Sequence, residues 1–409
     1  MLALGIGALC IRQMIIIRGQ SVDMDKLRNL LNEFTETRAK TAVEMKERSQ
    51  AGEPIVGTFC QYAPTEIINA AGLHNVILCG FNYDPIPLAE TALPSNLCPL
   101  IKSSYGHILG QTCPFAFFSD LIVGETTCDG KKKMYEMLSE LKDIHVIHLP
   151  NVPDHERSLA GWVEELRLFK SVLEEKFSVE ITEEDLREMI RITNRERRMT
   201  ARLYELGKLD PPAITGVDMR AIMTACYFIL DKEKKYQKMC DLLQWSMEAY
   251  EQGNGPYPKD THPPRILISG AGLDGVLQKT INVIEELGSA IVCYEGCCGI
   301  MAMRRLMDES PDKDPIVSIA EKYLDVPCAV MSPNTSRMKQ LDETIDEWNI
   351  DGVISVTVHS CNPFDIESRN IEKVCDEKGV PFIHLRTDYS PGDEGQLRTR
   401  IEAFLEMLV

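Results

Sequence analysis

The sequence predicts an α/β protein with two similar doubly wound, Rossmann-like domains of parallel strands and a helical segment between them. Three observations lead to this prediction. Short apolar runs alternate with helix-like amphipathic runs in residues 51–153, and the same alternation returns in residues 262–409. Between them, residues 154–261 carry charged helical patterns and end in a linker rich in Gly and Pro. The chain of 409 residues is also too long for one ordinary hydrophobic core. Residues 1–50 are predicted as a helical extension.

Composition narrows the class of function. The formal net charge is −18, which argues against a nucleic-acid or anionic-membrane partner because both need a basic face. Residues 1–19 are apolar, yet Arg12 interrupts them and no run reaches the roughly 18–20 apolar residues of a membrane span. They also lack the basic start of a secretion signal. We therefore expect a cytoplasmic protein, in which fourteen cysteines point to metal or redox chemistry more than to disulfides.

Local patterns predict the elements of the first α/β domain in order. Residues 24–50 carry apolar side chains at helical spacing, and residues 54–60 form an apolar, strand-like run. A proline opens a helix over residues 64–71, which stops at Gly72. The remaining predictions here are strands at 76–79, 115–123 and 145–149, and helices at 100–109 and after Cys128.

The later elements are predicted in the same way. The run Thr182-Glu183-Glu184-Asp185 is a capping box that starts a helix inside the helical segment. The second α/β domain begins with a buried strand at 265–270, which a helix at 276–287 follows. Its other predicted elements are strands at 290–294, 326–331, 352–358 and 381–385 and a closing helix at 395–408.

Cysteines recur where strands of both domains are predicted to end. In a doubly wound sheet the carboxyl ends of the strands share one edge, which is where such folds bind ligands. If the two domains face each other at this edge, six thiolates converge on one cleft, and thiolate clusters suit iron–sulfur or zinc binding. The six candidate ligands are Cys60, Cys98, Cys128, Cys297, Cys328 and Cys361.

Cys128 lies between a predicted strand and a helix that begins with Lys131, Lys132 and Lys133. Helical N–H groups and nearby lysines both favour the thiolate form of a cysteine. Two interpretations of the lysines stay open. They are either a solvated helix start or a contact for an anion or an acidic partner beside a redox centre.

The run GAGLDG at residues 270–275 is a competing motif. It is a G-x-G-x-x-G sequence between a predicted strand and a predicted helix, and Glu295 follows 20 residues after Gly275. Glycines there would let a dinucleotide pyrophosphate approach the backbone, and the acid would bind the ribose. The alternative is a tight turn that needs Gly270, Gly272 and Gly275 for backbone reasons alone.

Longer runs carry more specific information than cysteine spacing. They are CQYAPTEIINAAG, LCPLIKSSYG, ETTCDGKKKMYE, YEGCCG, HSCNPF and TDYSPGDEGQLRTRIEAFLEML, and they span residues 57–408. Together they resemble the family of 2-hydroxyacyl-CoA dehydratase D-components and benzoyl-CoA reductase-like proteins. Within that family the chain is most similar to the double-cubane-cluster branch of homodimeric anaerobic reductases.

The resemblance implies ligands, a cofactor and a partner. Cys98, Cys128 and Cys361 match the family's cluster cysteines, and a second cubane joined by a bridging sulfide would need three more thiolates. Cys60, Cys297 and Cys328 are the candidates for these, with Cys298 in reserve. The family also implies an iron–sulfur activator that hydrolyses ATP and donates a low-potential electron. No Walker-type phosphate loop is visible in this chain, so ATP would be hydrolysed on that partner.

Four functions remain as hypotheses at this point. The first is an anaerobic reductase that holds an 8Fe–9S double cubane and acts on a small unsaturated or acyl-thioester substrate. The second is a 2-hydroxyacyl-CoA dehydratase subunit with a single 4Fe–4S cluster. The third is a nicotinamide-dependent dehydrogenase that uses GAGLDG, and the fourth is an electron-transfer protein that hands its cluster onward.

Overall fold

The computed structural model describes residues 23–296, 299–303 and 305–408. Within these ranges the strands form two four-stranded sheets, and every neighbouring pair is parallel. The first sheet has the order β2-β1-β3-β4, and the second repeats it as β6-β5-β7-β8. The strands are β1 (Ile55–Thr58), β2 (His74–Ile77), β3 (Leu121–Glu125), β4 (Ile144–Ile147), β5 (Arg265–Gly270), β6 (Ala290–Gly296), β7 (Gly352–Val358) and β8 (Phe382–Thr387).

The shared strand order confirms the prediction of two similar doubly wound domains. Every residue of the central strands β1, β3, β5 and β7 is buried, as expected for parallel strands covered on both faces. One hydrophobic cluster contains Ile122 of β3 and Ile268 of β5, so apolar packing is continuous from one sheet to the other. This continuity brings the two sheets together around a common core.

Six helices of the described chain belong to the first half, and the first of them begins as predicted. Asp23 precedes it and accepts a hydrogen bond from the Lys26 N–H group at 3.2 Å, while Leu27 and Phe34 are buried. The helices are α1 (Met24–Gln50), α2 (Thr65–Ala70), α3 (Ile86–Ala89), α4 (Pro99–Leu109), α5 (Pro114–Phe118) and α6 (Asp129–Leu138).

The central segment is helical, as its charge pattern predicts. Thr182 and Asp185 form the predicted capping box, in which each side chain accepts a hydrogen bond from the other residue's backbone N–H group. The helices of this segment are α7 (Glu156–Phe177), α8 (Glu183–Glu205), α9 (Gly216–Cys226) and α10 (Lys232–Glu251), with a 3₁₀ turn at Leu206–Lys208. The domain boundaries at residues 50, 153 and 261 stay a prediction.

The second half combines its four strands with helices on both faces of the sheet. Two 3₁₀ turns, Leu273–Gly275 and Ile300–Ala302, follow β5 and β6. The helices are α11 (Ile281–Glu286), α12 (Pro315–Leu324), α13 (Thr335–Glu347), α14 (Asn362–Lys378) and α15 (Glu394–Glu406).

Three predicted elements differ from the structure. Residues 115–118 are helical and not the start of a strand, because Pro114 presets the first helical turn. Residues 326–331 form a turn, in which the Met331 N–H group donates to the Cys328 carbonyl, and not a strand. Pro327 inside that run and Pro333 just after it limit ladder hydrogen bonds. The predicted helix at 276–287 is reduced to Ile281–Glu286, since residues 276–280 form turns after the 3₁₀ turn at Leu273–Gly275.

No helix among the described residues is both long and apolar enough to cross a membrane. The apolar opening at residues 1–19 lies outside the described residues, and so does most of the predicted extension before Met24.

Candidate functional site

Three of the predicted cluster cysteines lie directly before helices. Cys98 precedes α4, Cys128 precedes α6 and Cys361 precedes α14. Cys128 and Cys361 follow the carboxyl ends of β3 and β7, as predicted, whereas Cys98 follows a loop and not a strand. The partial positive charge of a helix N-terminus favours a thiolate at each of these positions.

The thiols of Cys98 and Cys361 are in direct contact although they come from different sheets. The Cys361 thiol donates a hydrogen bond to the Cys98 sulfur, and this contact lowers the pKa of Cys98 to about 7 against the opposing effect of burial. The same contact, together with burial, raises the pKa of Cys361, and the charge of Cys128 raises it further. These three cysteines form the first thiol group, which lies between the two sheets.

Cys60 and Cys328 form a second thiol group. Burial raises the pKa of Cys328 to about 12, and the charge of Cys60 adds to the increase, so the two side chains are neighbours. Cys328 was predicted at a strand end and lies instead in the turn before α13. Cys361 packs against both the hydrophobic cluster of the first group and the one that contains Cys328, so it connects the two groups.

Cys297 and its alternative Cys298 lie outside the described residues. The strand β6 ends at Gly296, immediately before them. Their assignment as ligands stays a prediction.

The three lysines after Cys128 have different surroundings. Lys131 points inward and donates to the Phe59 carbonyl at 3.3 Å. Burial opposes its charge, but the neighbouring acidic groups of Tyr135, Cys60, Cys79 and Glu125 raise its pKa. By contrast, exposed Lys132 and Lys133 form local ion pairs with Asp129 at 2.6 Å and Glu136 at 2.7 Å. Lys131 therefore belongs to the site, while the other two lie on the surface.

Buried polar atoms without partners surround Lys131 and Cys60. Among the described residues, both carboxyl oxygens of Glu125, both amide atoms of Gln61 and the Tyr135 hydroxyl have no hydrogen bond. Burial raises the pKa of Glu125 to about 8, so this carboxyl group is protonated at neutral pH. Native proteins leave few buried polar groups unsatisfied, so these atoms need partners that the chain itself does not supply, such as water or a bound group.

The family comparison covers the part of the chain that carries these thiols. Residues 60–408 match the family model for "2-hydroxyglutaryl-CoA dehydratase, D-component". That match covers most of the chain and includes every described cysteine of both thiol groups. The chain belongs to this dehydratase family.

Named relatives of this dehydratase family cover nearly the whole chain. It is 41% identical to the "Putative dehydratase subunit YjiM" of Escherichia coli (strain K12), over 94% of this chain and 99% of that protein. It is 26% identical to the (R)-phenyllactyl-CoA dehydratase beta subunit of Clostridium sporogenes, over 89% and 94% of the two chains. It is 22% identical to a subunit of the benzoyl-CoA reductase of Thauera aromatica, over 90% and 94%. These relatives support an enzymatic function.

The side chains at the family site fit an iron–sulfur cluster. Protonated Glu125, the Gln61 amide, the Tyr135 hydroxyl and the Lys131 ammonium can all donate hydrogen bonds, and cluster sulfides accept them. Within the described ranges no three His, Cys, Asp or Glu side chains stand as close as the ligands of one metal ion do. The ligands of a cubane stand farther apart than those of a single metal ion, because each cysteine binds a different iron.

Two site residues were missed in the sequence. Cys79 follows β2 as Cys60 follows β1, and its thiol donates to the Phe59 carbonyl at 3.4 Å. Tyr389 lies near Cys98, Cys79 and Cys361, whose charges contribute with burial to raising its pKa. The inward direction of Lys131 had a usable signal, because Cys128, Lys131 and Tyr135 are spaced three and four residues apart and share one helical face.

The GAGLDG motif has a structural explanation in this family member. A side chain at Gly270 would lie 2.0 Å from the Val356 carbonyl oxygen, and Gly270 and Gly272 have φ angles of 146° and 70°. Glu295, the predicted ribose ligand, is 1% exposed and bonds Arg337 at 2.7 Å. The second half of the motif is the 3₁₀ turn Leu273–Gly275, so no helix N-terminus is available there for a pyrophosphate. This geometry disfavours the nicotinamide hypothesis.

A cavity of about 180 Å³ reaches Cys60 from the side of the helical segment. Lys322 on α12 lines it, is 4% exposed and stacks over the Tyr323 ring at 4.4 Å. Burial lowers the pKa of Lys322 to about 7, and the charge of Arg197 lowers it further, while Glu66 and Asp325 oppose the change. A charged Lys322 side chain therefore lowers the stability of the folded protein.

Lys322→Met is expected to stabilise the protein, with a pH dependence that follows from this shift. Between a folded pKa of about 7 and an ordinary value of 10.5, the unfolded chain binds the extra proton. The stability gain is thus largest at pH 7 and below and shrinks as the pH rises toward 10. It should exceed about 1.4 kcal/mol at pH 7, the equivalent of one pKa unit. Denaturant unfolding at pH 7 and pH 9.5 checks this, and an equal gain at both values would contradict it.

Proposed function

We propose that the chain is an iron–sulfur reductase of the 2-hydroxyacyl-CoA dehydratase family that works in the absence of oxygen. The observation that carries this proposal is the meeting of two thiol groups through Cys361, with partnerless hydrogen-bond donors around Cys60. A protein that held only one 4Fe–4S cluster would need the first group alone. The second group therefore favours an 8Fe–9S double cubane.

The proposed roles follow from the positions of the side chains. Cys98, Cys128 and Cys361 would hold the first cubane, and the second would be held by Cys60, Cys328 and Cys297. When bound, the cluster would supply one-electron chemistry at low potential. Around it, Lys131, Gln61 and Glu125 would donate hydrogen bonds to sulfur, which raises the reduction potential and excludes water from the thiolates.

The proposal includes partners that the family suggests. An ATP-hydrolysing iron–sulfur activator would deliver the electron, and the chain would act as a cytoplasmic homodimer on an acyl-CoA or another small molecule. The net charge of −18 is consistent with an absence of nucleic-acid and membrane partners.

Iron and acid-labile sulfide counts on anaerobically purified protein test the proposal. About eight irons per chain would support the double cubane, and about four would favour a single-cluster dehydratase subunit. A preparation without iron or sulfide would overturn both. An iron protein that shows no turnover with any activator would instead favour the electron-transfer function.

Charge reversal of Lys132 and Lys133 to Glu is expected to slow electron uptake from the activator while leaving the iron content unchanged. Both lysines are exposed, with Lys133 79% exposed, and they lie one turn from the first thiol group. Electrostatic steering acts mainly on association, so the rate should fall by about tenfold or more at low salt and recover at high salt.

The matched control is the double reversal of Lys339 and Lys373, which are 78% and 73% exposed and also face glutamates within their own helices. It changes the net charge equally, on helices other than the one that follows Cys128. Stopped-flow reduction of both variants at several salt concentrations makes the comparison. Equal rates would show that Lys132 and Lys133 are simply a solvated helix start.

A further inference from the structure

The cavity beside Cys60 has a wall of cations that the proposed cluster does not explain. It lies between the helical segment and the two α/β halves, and four cationic side chains line it: Arg197, Lys232, Lys235 and Lys322. Its volume of about 180 Å³ is several times the roughly 30 Å³ that one water occupies in the liquid. The chain has a net charge of −18, so this cluster makes the cavity wall positive within a protein that is negative overall.

Two of these cations already have carboxylate partners. Arg197 bonds Glu66 at 2.6 Å, and Glu66 is completely buried. Lys235 bonds Glu196 at 2.5 Å, while the second carboxyl oxygen of Glu196 is buried without a partner. Both carboxylates are therefore already bonded to a cation before the remaining two lysines are considered.

Lys322 and Lys232 are the other two cations of this wall. Glu66 and Asp325 act on Lys322, and Glu196 and Glu66 act on Lys232, as neighbouring charges and not as hydrogen-bond partners. Burial and the neighbouring charge of Lys235 lower the pKa of Lys232 to about 8. Cations that face a desolvated cavity without a directly bonded carboxylate are costly, and an anion bound in the cavity would offset that cost.

We propose that this cavity binds a small oxyanion, a carboxylate or a phosphate, between Lys322 and Lys232. Because the cavity reaches Cys60 and Gln61, a bound anion would lie next to the second thiol group. Its use as a substrate anchor rests on the proposed function, whereas the binding itself does not.

Titration calorimetry of the anaerobically purified protein with succinate, acetate and inorganic phosphate tests the site. Succinamide, which is neutral and similar in shape to succinate, is the matched ligand control. At least one anion should bind, and Lys322→Met and Lys232→Met should each weaken it at least tenfold. Tighter binding of succinate would identify a carboxylate site, and tighter binding of phosphate would identify a phosphate site.

Lys142→Met is the matched protein control. Lys142 is half-buried, lies over an aromatic ring at 5.7 Å and, like the cavity lysines, has its pKa lowered by burial, but it does not line this cavity. Anion affinity should be unchanged in this variant. The site is overturned if no anion binds more tightly than succinamide, or if both cavity variants bind as the wild type does.

Iron content measured on the same samples separates this inference from the proposed function. Anion binding without iron would overturn the proposed function and leave the site standing. Normal iron without anion binding would overturn the site alone. Because Lys322→Met is expected to raise stability, loss of binding in that variant cannot be attributed to unfolding.

Discussion

Cys361→Ala is expected to lose most of the bound iron, with a loss above about 75%. Its thiol bonds the Cys98 sulfur, interacts with Cys128 and packs against the hydrophobic clusters on both sides of the site. Removing it would open the first cubane and also separate it from the second thiol group. Iron and sulfide counts with the cluster absorption spectrum measure the effect.

Cys113→Ala is the matched control for this prediction. Cys113 is another half-buried cysteine directly before a helix that starts with proline, but it belongs to neither thiol group. Its replacement should leave the iron content within about 10% of the wild type. Iron retained in Cys361→Ala would remove this residue from the ligand set, and iron lost in Cys113→Ala would mean that the ligand set is wrong.

Arg337→Met is expected to be the most destabilising of the single changes considered, at roughly 3–5 kcal/mol. Arg337 is fully buried and bonds the Glu295 carboxylate at 2.7 and 2.8 Å, and it also pairs with Glu367. The Ser269 hydroxyl donates to Glu295 at 2.6 Å, so the network ties β5, β6, α13 and α14 together. Without the guanidinium, two carboxylates remain in the interior without a cation.

Anaerobic denaturant unfolding measures this loss against Arg369→Met. Arg369 is 76% exposed and pairs with Glu372 at 2.5 Å. An exposed pair of this kind contributes at most about 1 kcal/mol. A difference between the two variants below about 1 kcal/mol would contradict the assigned importance of the buried network.

Central strands and long helices were predictable because their signals are local. The helix Met24–Gln50 and the strands Arg265–Gly270 and Gly352–Val358 have the predicted bounds, since apolar periodicity and uninterrupted apolar runs specify them directly. Residues 326–331 were misassigned because a short apolar run can be buried without joining a sheet. At the start of this run the Tyr62 hydroxyl donates a hydrogen bond to the Val326 carbonyl, so the run is held by a side-chain contact and not by a neighbouring strand.

The sequence by itself determined the fold class, the family and the candidate cysteines, because each of these depends on residue types and on spacing along the chain. Only the tertiary structure decided which thiols meet. Cys98 and Cys361 are 263 positions apart, and their contact depends on how the two sheets pack. Packing also turned Lys131 inward and Lys132 outward, and it placed Glu295 against Arg337. Lys232 and Lys322 face one cavity for the same reason: contacts between distant segments depend on the shape of the folded chain, which local patterns do not record.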